Sequence, residues 1–533
     1  MPRLSLLFIS FIYSIISVAQ VILVKEIGLD DSNGDPSQLT VHSSYLFFSA
    51  ENENGRELWT VNLQGETNLV KDIYTGSNSS IQKESEFYVF NDKLFFTANN
   101  GINGNELWIS DGTNEGTQLL KDIFEGSNSS FISHFTEWNN QLFFIASDNE
   151  HGVELWSSNG TTDGTKMVAD IQTGKRSGAI NIVGSTAEAL FFVGNDGLNG
   201  NELWKTDGSL QGTTLVKDIY SGYRSASISK GIDFNNAIYF RANDGTGHEL
   251  WTSDGTEAGT KMVKGLHTKT LLGAYPDWFT IFNDKLYFTA DDGENGVELW
   301  VTDGTANGTI TVADNRSFIF KNRPRHLTVF NGALYFSYDD GINGSEIWKT
   351  DGTEQGTVLV TDIDGAYNSN PTALYVFGQQ LYFSAKNGQV GTELWATEGT
   401  ASSTSLVADI NEGNASAYPA DLTMFNGELY LTATTLENGK ELFKLGTATT
   451  TDIPEKLLSK IKIYPNPASD YIKIENSSAL DIKSLTIINA SGQTIQSQKF
   501  GTIIDIKSLP TGSFSLQIKD NEGRSGWLNF IKQ

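Results

Sequence analysis

A Glu-Leu-Trp triplet at near-constant spacing, short apolar runs between glycine-rich turns and a change of composition near residue 448 predict an all-β chain. The expected architecture is a β-propeller of about nine four-stranded blades followed by a small C-terminal β-sandwich. The triplet starts at Glu57, Glu106, Glu154, Glu202, Glu249 and Glu298, continues as Glu346-Ile347-Trp348 and Glu393-Leu394-Trp395, and ends as Glu441-Leu442-Phe443. Successive spacings are 49, 48, 48, 47, 49, 48, 47 and 48, so the copies show almost no drift in length. Eight blades with one displaced unit, or an open solenoid, are the alternatives left by the spacing.

The first element is an address. Residues 1–19 carry a cation at Arg3, an apolar run from Leu4 to Val18 and the small-residue pattern Ser17-Val18-Ala19. A charged start, a short apolar centre and a small-residue cleavage site make a secretory signal peptide. The run is shorter than the roughly 20 residues a membrane span needs. No later stretch is apolar enough to span a bilayer, so the mature chain is expected to lack a transmembrane segment.

Each copy within residues 20–447 reads as four strands. In the second, these are Phe87 to Phe90, Leu94 to Ala98, Glu106 to Ser110 and Leu119 to Ile123. The first two are joined by Asn91-Asp92, and by Asn331-Gly332 and Asn426-Gly427 in later copies. Asn-Gly supplies the two positive φ angles of a two-residue hairpin. Asp-Gly-Thr at Asp111, Asp254, Asp303 and Asp351 turns the third strand into the fourth. The second strand is apolar on both faces, as in Leu286-Tyr287-Phe288, and such a strand needs cover on both sides. A blade of this kind buries its aromatic face only by stacking on a neighbour.

The ends of the repeat match each other. Residues 21–27 (Val-Ile-Leu-Val-Lys-Glu-Ile) resemble a fourth strand such as Leu215-Val216-Lys217-Asp218-Ile219, whereas the ninth copy stops near Leu445 without one. The N-terminal strand is therefore expected to complete the last blade and close the ring, leaving no open edge.

The longer pattern Glu-Leu-Trp-x-x-Asp-Gly-Thr stands intact at 106–113, 249–256 and 298–305, and with Ile for Leu at 346–353. It resembles the ELWxxDGT repeat family of bacterial secreted proteins, a resemblance that covers about 400 residues and implies no particular chemistry.

Residues 448–458 read as a linker and 459–533 as a β-sandwich. Residues 457–533 hold nine Lys/Arg against six Asp/Glu, so the chain's net charge of −27 leaves −30 for the rest. Alternating segments at Tyr471 to Ile474, Ser484 to Ile488, Thr502 to Ile506 and Ser513 to Ile518 are separated by Asn, Gly and Pro turns. The landmarks are Tyr464-Pro465-Asn466-Pro467, Ala490-Ser491-Gly492-Gln493 and Leu509-Pro510-Thr511-Gly512-Ser513-Phe514. Their order and spacing resemble the type A C-terminal sorting domain of the type IX secretion system. The resemblance implies recognition by the type IX machinery. It also implies a chain secreted from, or attached to the outer surface of, a Gram-negative bacterium.

Composition narrows the function. With no cysteine, a disulfide scaffold, a thiolate metal cage and a cysteine nucleophile are excluded. The negative charge opposes a nucleic-acid footprint. The repeated acids Glu106, Glu202 and Glu298, with Asp122, Asp218 and Asp362, have the residue types of a glycosidase pair. A catalytic site needs unequal carboxyls in one place, however, whereas these occur in nearly every repeat. A structural role is expected for them, with the tryptophans filling the space between blades.

The loops Asn99 to Gly104 and Asp291 to Gly296 resemble calcium loops faintly, without the spaced ligands of an EF-hand. No cofactor is expected, and calcium is the one ion left open. The six histidines (His42, His134, His151, His248, His267, His326) show no zinc spacing.

One asymmetry remains. Four consecutive loops between the last strand of one blade and the first of the next carry cations or aromatic partners: Lys175 and Arg176; Tyr223 and Arg224; His267 and Lys269; Arg316, Lys321, Arg323, Arg325 and His326. In a propeller these loops share a rim with the loops joining second and third strands. Arg176, Tyr223, Arg224, Arg316, Arg323, Arg325 and His326 are therefore the candidate ligand-binding residues, suited to an anionic glycan or protein ligand through Arg forks. The expected function is non-catalytic binding or adhesion, lost on charge reversal at Arg224, Arg323 or Arg325. The competing expectation is an exported polysaccharide- or peptide-degrading enzyme with its site at the propeller face.

Overall fold

The computed structural model describes residues 19–28, 33–267, 272–313, 323–365, 367–447, 455–458, 460–477, 480–489, 494–520 and 525–533. The chain divides into two compact units, Val21–Leu445 and one containing Gly446–Gln533.

Within the first unit the described residues form nine four-stranded antiparallel sheets in a propeller-like series. They are sheet 1 (37–71), sheet 2 (88–121), sheet 3 (133–169), sheet 4 (179–217), sheet 5 (232–264), sheet 6 (277–311), sheet 7 (325–361), sheet 8 (372–408) and sheet 9 (420–447 with Ala19–Lys25). In sheets 1 to 8 the strands pair in chain order. Sheet 2 comprises Tyr88–Phe90, Lys93–Asn99, Asn105–Ser110 and Gln118–Lys121, within two residues of the bounds read from sequence. Its first turn holds Asn91 and Asp92 at φ 48° and 57°, and the same turn in sheet 7 holds Asn331 and Gly332 at 46° and 73°. These are the angles that favour Asn and Gly there. In sheet 9 the order is different: Ala19–Lys25 lies beside Gly439–Thr447 as the fourth strand.

Packing explains why the sheets do not stand alone. Among the described residues of this unit nine apolar clusters occur, each built from two sheets that are consecutive in the chain or, in one case, from sheets 9 and 1. That cluster joins Leu46, Phe48 and Trp59 of sheet 1 to Phe425, Tyr430 and Leu442 of sheet 9, with Ile27 among them. First strands touch first strands of neighbouring sheets, including Ser37–Val41 of sheet 1 against Ala420–Phe425 of sheet 9, which makes them the inner strands.

A polar bridge recurs across these joints. A fourth-strand lysine donates to a carbonyl of the next sheet's turn: Lys71 to Thr117 (2.7 Å), Lys217 to Thr260 (2.8 Å) and Lys264 to Thr309 (2.7 Å). Lys25 of the N-terminal strand donates to the Thr67 carbonyl in the same way, at 3.0 Å.

The loops after second and fourth strands pack together, as the shared-rim argument requires. The amide of Asn105 donates to Ser129 Oγ, and that of Ser130 to the Asn105 carbonyl. A Cβ on Gly200 would collide with the Arg224 carbonyl oxygen, so only glycine admits this approach.

The second unit pairs a three-stranded sheet (Ile461–Tyr464, Tyr471–Asn476, Ile503–Asp505) with a four-stranded one (Thr494–Lys499, Ile482–Asn489, Gly512–Asp520, Ser525–Lys532). Ile472, Ile474, Leu485, Ile487, Leu516 and Phe530 share its core. Three of these strands (Ile461–Tyr464, Thr494–Lys499, Ser525–Lys532) go beyond the four alternating segments of the sequence reading; in Thr494–Lys499 a single isoleucine is too little apolar signal to stand out. The segment expected as linker ends in a short helix, Glu455–Leu458. Residues 448–454, and 1–18 of the expected signal peptide, lie outside the described residues.

Candidate functional site

The repeated glutamates occupy buried, nearly identical places. Glu57 accepts from the amides of Ile73 (3.0 Å) and Ser80 (3.2 Å) and from the Ser80 hydroxyl (2.6 Å). Glu393 accepts from Ile410 (2.8 Å) and Ala417 (2.9 Å), and Glu106 and Glu202 each accept at 2.7 Å from Ile123 and Ile219. Each carboxyl therefore ties the third strand to the loop that leaves the fourth. Burial pushes Glu57, Glu106, Glu202, Glu346 and Glu393 up to about 7 and Glu154 up to about 8. Raised values are a mark of catalytic acids when one group differs from its neighbours. Here the same shift recurs from sheet to sheet, as a structural carboxyl in a repeat would show.

The glycine-rich loops are held by their own side chains. Asn100 Oδ1 accepts from the amides of Ile102 and Asn103, and Asp340 repeats the pattern with Ile342 and Asn343. These are Asx turns. Among the described residues no group of three or more His, Asp or Glu is placed to hold a metal ion.

The candidate cations separate into two groups. Arg176 and Tyr223 are exposed, and Arg224 lies over the Tyr220 ring with its guanidinium donating to the Tyr220 hydroxyl. Arg323, Arg325 and His326 instead line one cavity of about 510 Å³ together with Arg241, Tyr275, Asp277, Trp278, Thr289 and Val297. Arg316, Lys321 and Lys269 lie outside the described residues.

Local backbone geometry builds this cavity. In sheets 1, 3, 6, 7, 8 and 9 the inner strand starts with a register shift, and its second residue has positive φ: Gln38, His134, Trp278, His326, Ala373 and Asp421. Such a bulge re-aims side chains. In sheets 6 and 7 the re-aimed residues are an aromatic and an imidazole, which meet edge to face at 4.9 Å. Tyr275, also at positive φ, stacks on His248 at 4.5 Å, and the Arg241 guanidinium lies 5.9 Å from the Tyr275 ring centre. Large side chains in the left-handed region cost about 1–2 kcal/mol each.

Arg241 escaped the loop-by-loop sequence reading because it sits inside a strand. Aligned repeats expose it: Ser49, Thr97, Ile145, Val193, Thr289, Ser337, Ser384 and Thr432 hold the same place in the other sheets. Its Nε is buried without a hydrogen-bond partner, and among the described residues Arg241, Arg323 and Arg325 enter no ion pair. Burial, then the nearby Arg325, lower the His326 pKa, favouring the neutral imidazole.

In the second unit, Tyr464 ends the first strand half exposed, and the Tyr464–Pro465 and Asn466–Pro467 peptides are cis. Asn466 Oδ1 accepts from the Ile531 amide at 2.9 Å, and Gly512 opens the strand Gly512–Asp520. Gly492 lies outside the described residues. Residues 462–531 match the secretion system C-terminal sorting domain. The C-terminal unit carries a type IX sorting tail. The tail implies an encounter with the type IX machinery and indicates a secreted or cell-surface protein. Among the described residues no helix is long and apolar enough to cross a membrane.

No curated protein matches the chain. Solved structures similar to it include a puromycin hydrolase (12% identity, 65% of this chain and 58% of that one, TM-score 0.32). Also similar are a prolyl endopeptidase (9%, 73% and 54%, 0.35) and the extracellular domain of the putative one component system BT4673 from B. thetaiotaomicron (10%, 96% and 74%, 0.30). The chain spans a little over half the length of the puromycin hydrolase and of the prolyl endopeptidase, and likeness this distant carries nothing about activity.

Proposed function

We propose that the protein is an exported, non-catalytic binding or adhesion protein. Its repeat unit is a closed nine-bladed β-propeller, and its ligand is anionic. Closure is supported by the N-terminal strand in sheet 9, the apolar cluster between sheets 9 and 1, and the Lys25 bridge. The observation that carries the binding reading is the cavity across sheets 5 to 7: three guanidinium groups that enter no ion pair among the described residues converge there in a chain of net charge −27. Unpaired Arg forks suit carboxylate or phosphate groups. The repeated acids, engaged by backbone amides, leave no unequal pair for hydrolysis.

The test is retention of the full mature chain on carboxylated polysaccharide columns, run beside glycoside and peptide hydrolysis assays. Saturable retention without product release, lost in Arg325→Glu, is expected. Product release abolished by one Glu or Asp substitution would establish the enzyme instead.

A further inference from the structure

The geometry points to a carboxylated sugar, a hexuronate residue of an acidic polysaccharide, as the ligand of the cavity formed by Arg241, Tyr275, Trp278, Arg323, Arg325 and His326. The inference rests on the reading of that cavity as the binding site.

Three features select this class. The first is charge. Arg325 opens the inner strand of sheet 7, Arg323 lies two residues before it, and Arg241 comes from the second strand of sheet 5. Approach from separate elements suits an anionic group gripped from more than one side.

The second is the aromatic surface. Trp278 and Tyr275 remain 38% and 44% exposed although both line the cavity. Ring surface beside charged forks matches a pyranose, whose C–H face is apolar while its substituents are polar. An acidic peptide would need the guanidiniums but not two exposed rings held at positive φ. At the bulge the ring is particular to sheet 6, because the same position carries Gln38 in sheet 1 and Ala373 in sheet 8, whereas the place of Tyr275 also holds exposed rings in sheets 3 and 9, Phe131 and Tyr418.

The third is size. The cavity volume, about 510 Å³, lies within the roughly 300–1,000 Å³ of small-molecule sites and admits a short saccharide rather than a folded domain.

Calorimetric titration of the full mature chain with tetragalacturonate, a neutral tetragalactose and tetraglutamate tests the assignment. Tetragalacturonate should bind at least about tenfold more tightly than the other two. Trp278→Ala and Arg325→Gln should each weaken it about tenfold or more, Trp278→Tyr should retain it, and Arg224→Gln should leave it unchanged. Circular dichroism of each variant, with Trp278→Tyr preserving a ring, separates lost binding from lost folding. If tetraglutamate binds as well and Trp278→Ala has no effect while Arg325→Gln abolishes binding, the sugar assignment falls and the anion site stands. If no acidic ligand binds, or binding ignores Arg325→Gln, both fall.

Discussion

Replacing Ile27 by alanine tests whether the segment that follows the strand Ala19–Lys25 is an integral part of the repeat unit. Ile27 follows Lys25-Glu26 as Ile73 follows Lys71-Asp72 and Ile219 follows Lys217-Asp218, and all three isoleucines are less than a tenth exposed. Its cluster contains Leu46, Phe48 and Trp59 of sheet 1 and Phe425, Tyr430 and Leu442 of sheet 9. The Gly28 and Gly34 amides that flank it donate to Glu441 at 3.0 Å, so the segment is pinned and cannot settle into a vacated space. Removing a buried isoleucine to alanine costs about 2–5 kcal/mol, toward the upper end where the site cannot relax. The assay is guanidinium unfolding of the protein followed by tryptophan fluorescence, with amide exchange read over residues 20–28. Ile27→Ala and Ile73→Ala should lower the midpoint alike and loosen exchange locally. A dangling strand would leave Ile27→Ala within about 0.5 kcal/mol of the parent, the range of an ordinary surface change. That result, with Ile73→Ala clearly destabilised, would refute closure through the N-terminal strand.

Three further outcomes are expected. The buried glutamates hold their protons up to about 7 or 8 when folded but release them near 4.5 when unfolded, so they favour the folded state at low pH and that advantage is lost as pH rises through 7. The Asp254 carboxyl, held below its usual range by the Thr256 hydroxyl and amide, acts oppositely and only below about pH 4. Calorimetric midpoints should therefore be higher near pH 5 than at pH 8, and Glu154→Gln should flatten the slope; a midpoint rising from pH 5 to 8 would contradict this. Ala373, at φ 54°, should gain from Ala373→Gly by up to about 1 kcal/mol, whereas Ala385→Gly in a buried strand should lose stability, as compared by guanidinium midpoints. Trp108→Ala should cost about 3–5 kcal/mol, and Trp204→Ala, at a half-buried tryptophan, should cost less; equal losses in thermal unfolding would mean that exposure does not set the cost.

Much of the framework is legible because it repeats. A triplet every 47–49 residues marks the third strand, and Asn-Gly and Asp-Gly-Thr mark turns whose φ angles those residues accommodate. The structural role of Glu106 and its equivalents follows from repetition alone, before any hydrogen bond is seen. In the C-terminal unit, strands with clear alternation, such as Gly512–Asp520, are legible, and weakly apolar ones such as Thr494–Lys499 are not.

The candidate site is only half legible. Loop cations stand out against acidic neighbours, so Arg323, Arg325 and His326 can be picked from the chain, but Arg176 and Arg224 qualify by the same test and lie outside the cavity. Arg241 and Trp278 carry no loop signal at all.

The amino-acid sequence determined the four-strand pattern of the repeat, its turns and the sorting tail, because each is set by residues near one another or by identity between repeats. Only the tertiary structure decided which departures from the repeat meet. Arg241, Trp278 and Arg325 belong to three sheets, and their convergence depends on a left-handed bulge that turns inner-strand side chains toward a neighbour. A bulge adds no residue type to the strand; it changes a backbone angle, and that angle is chosen by packing between sheets.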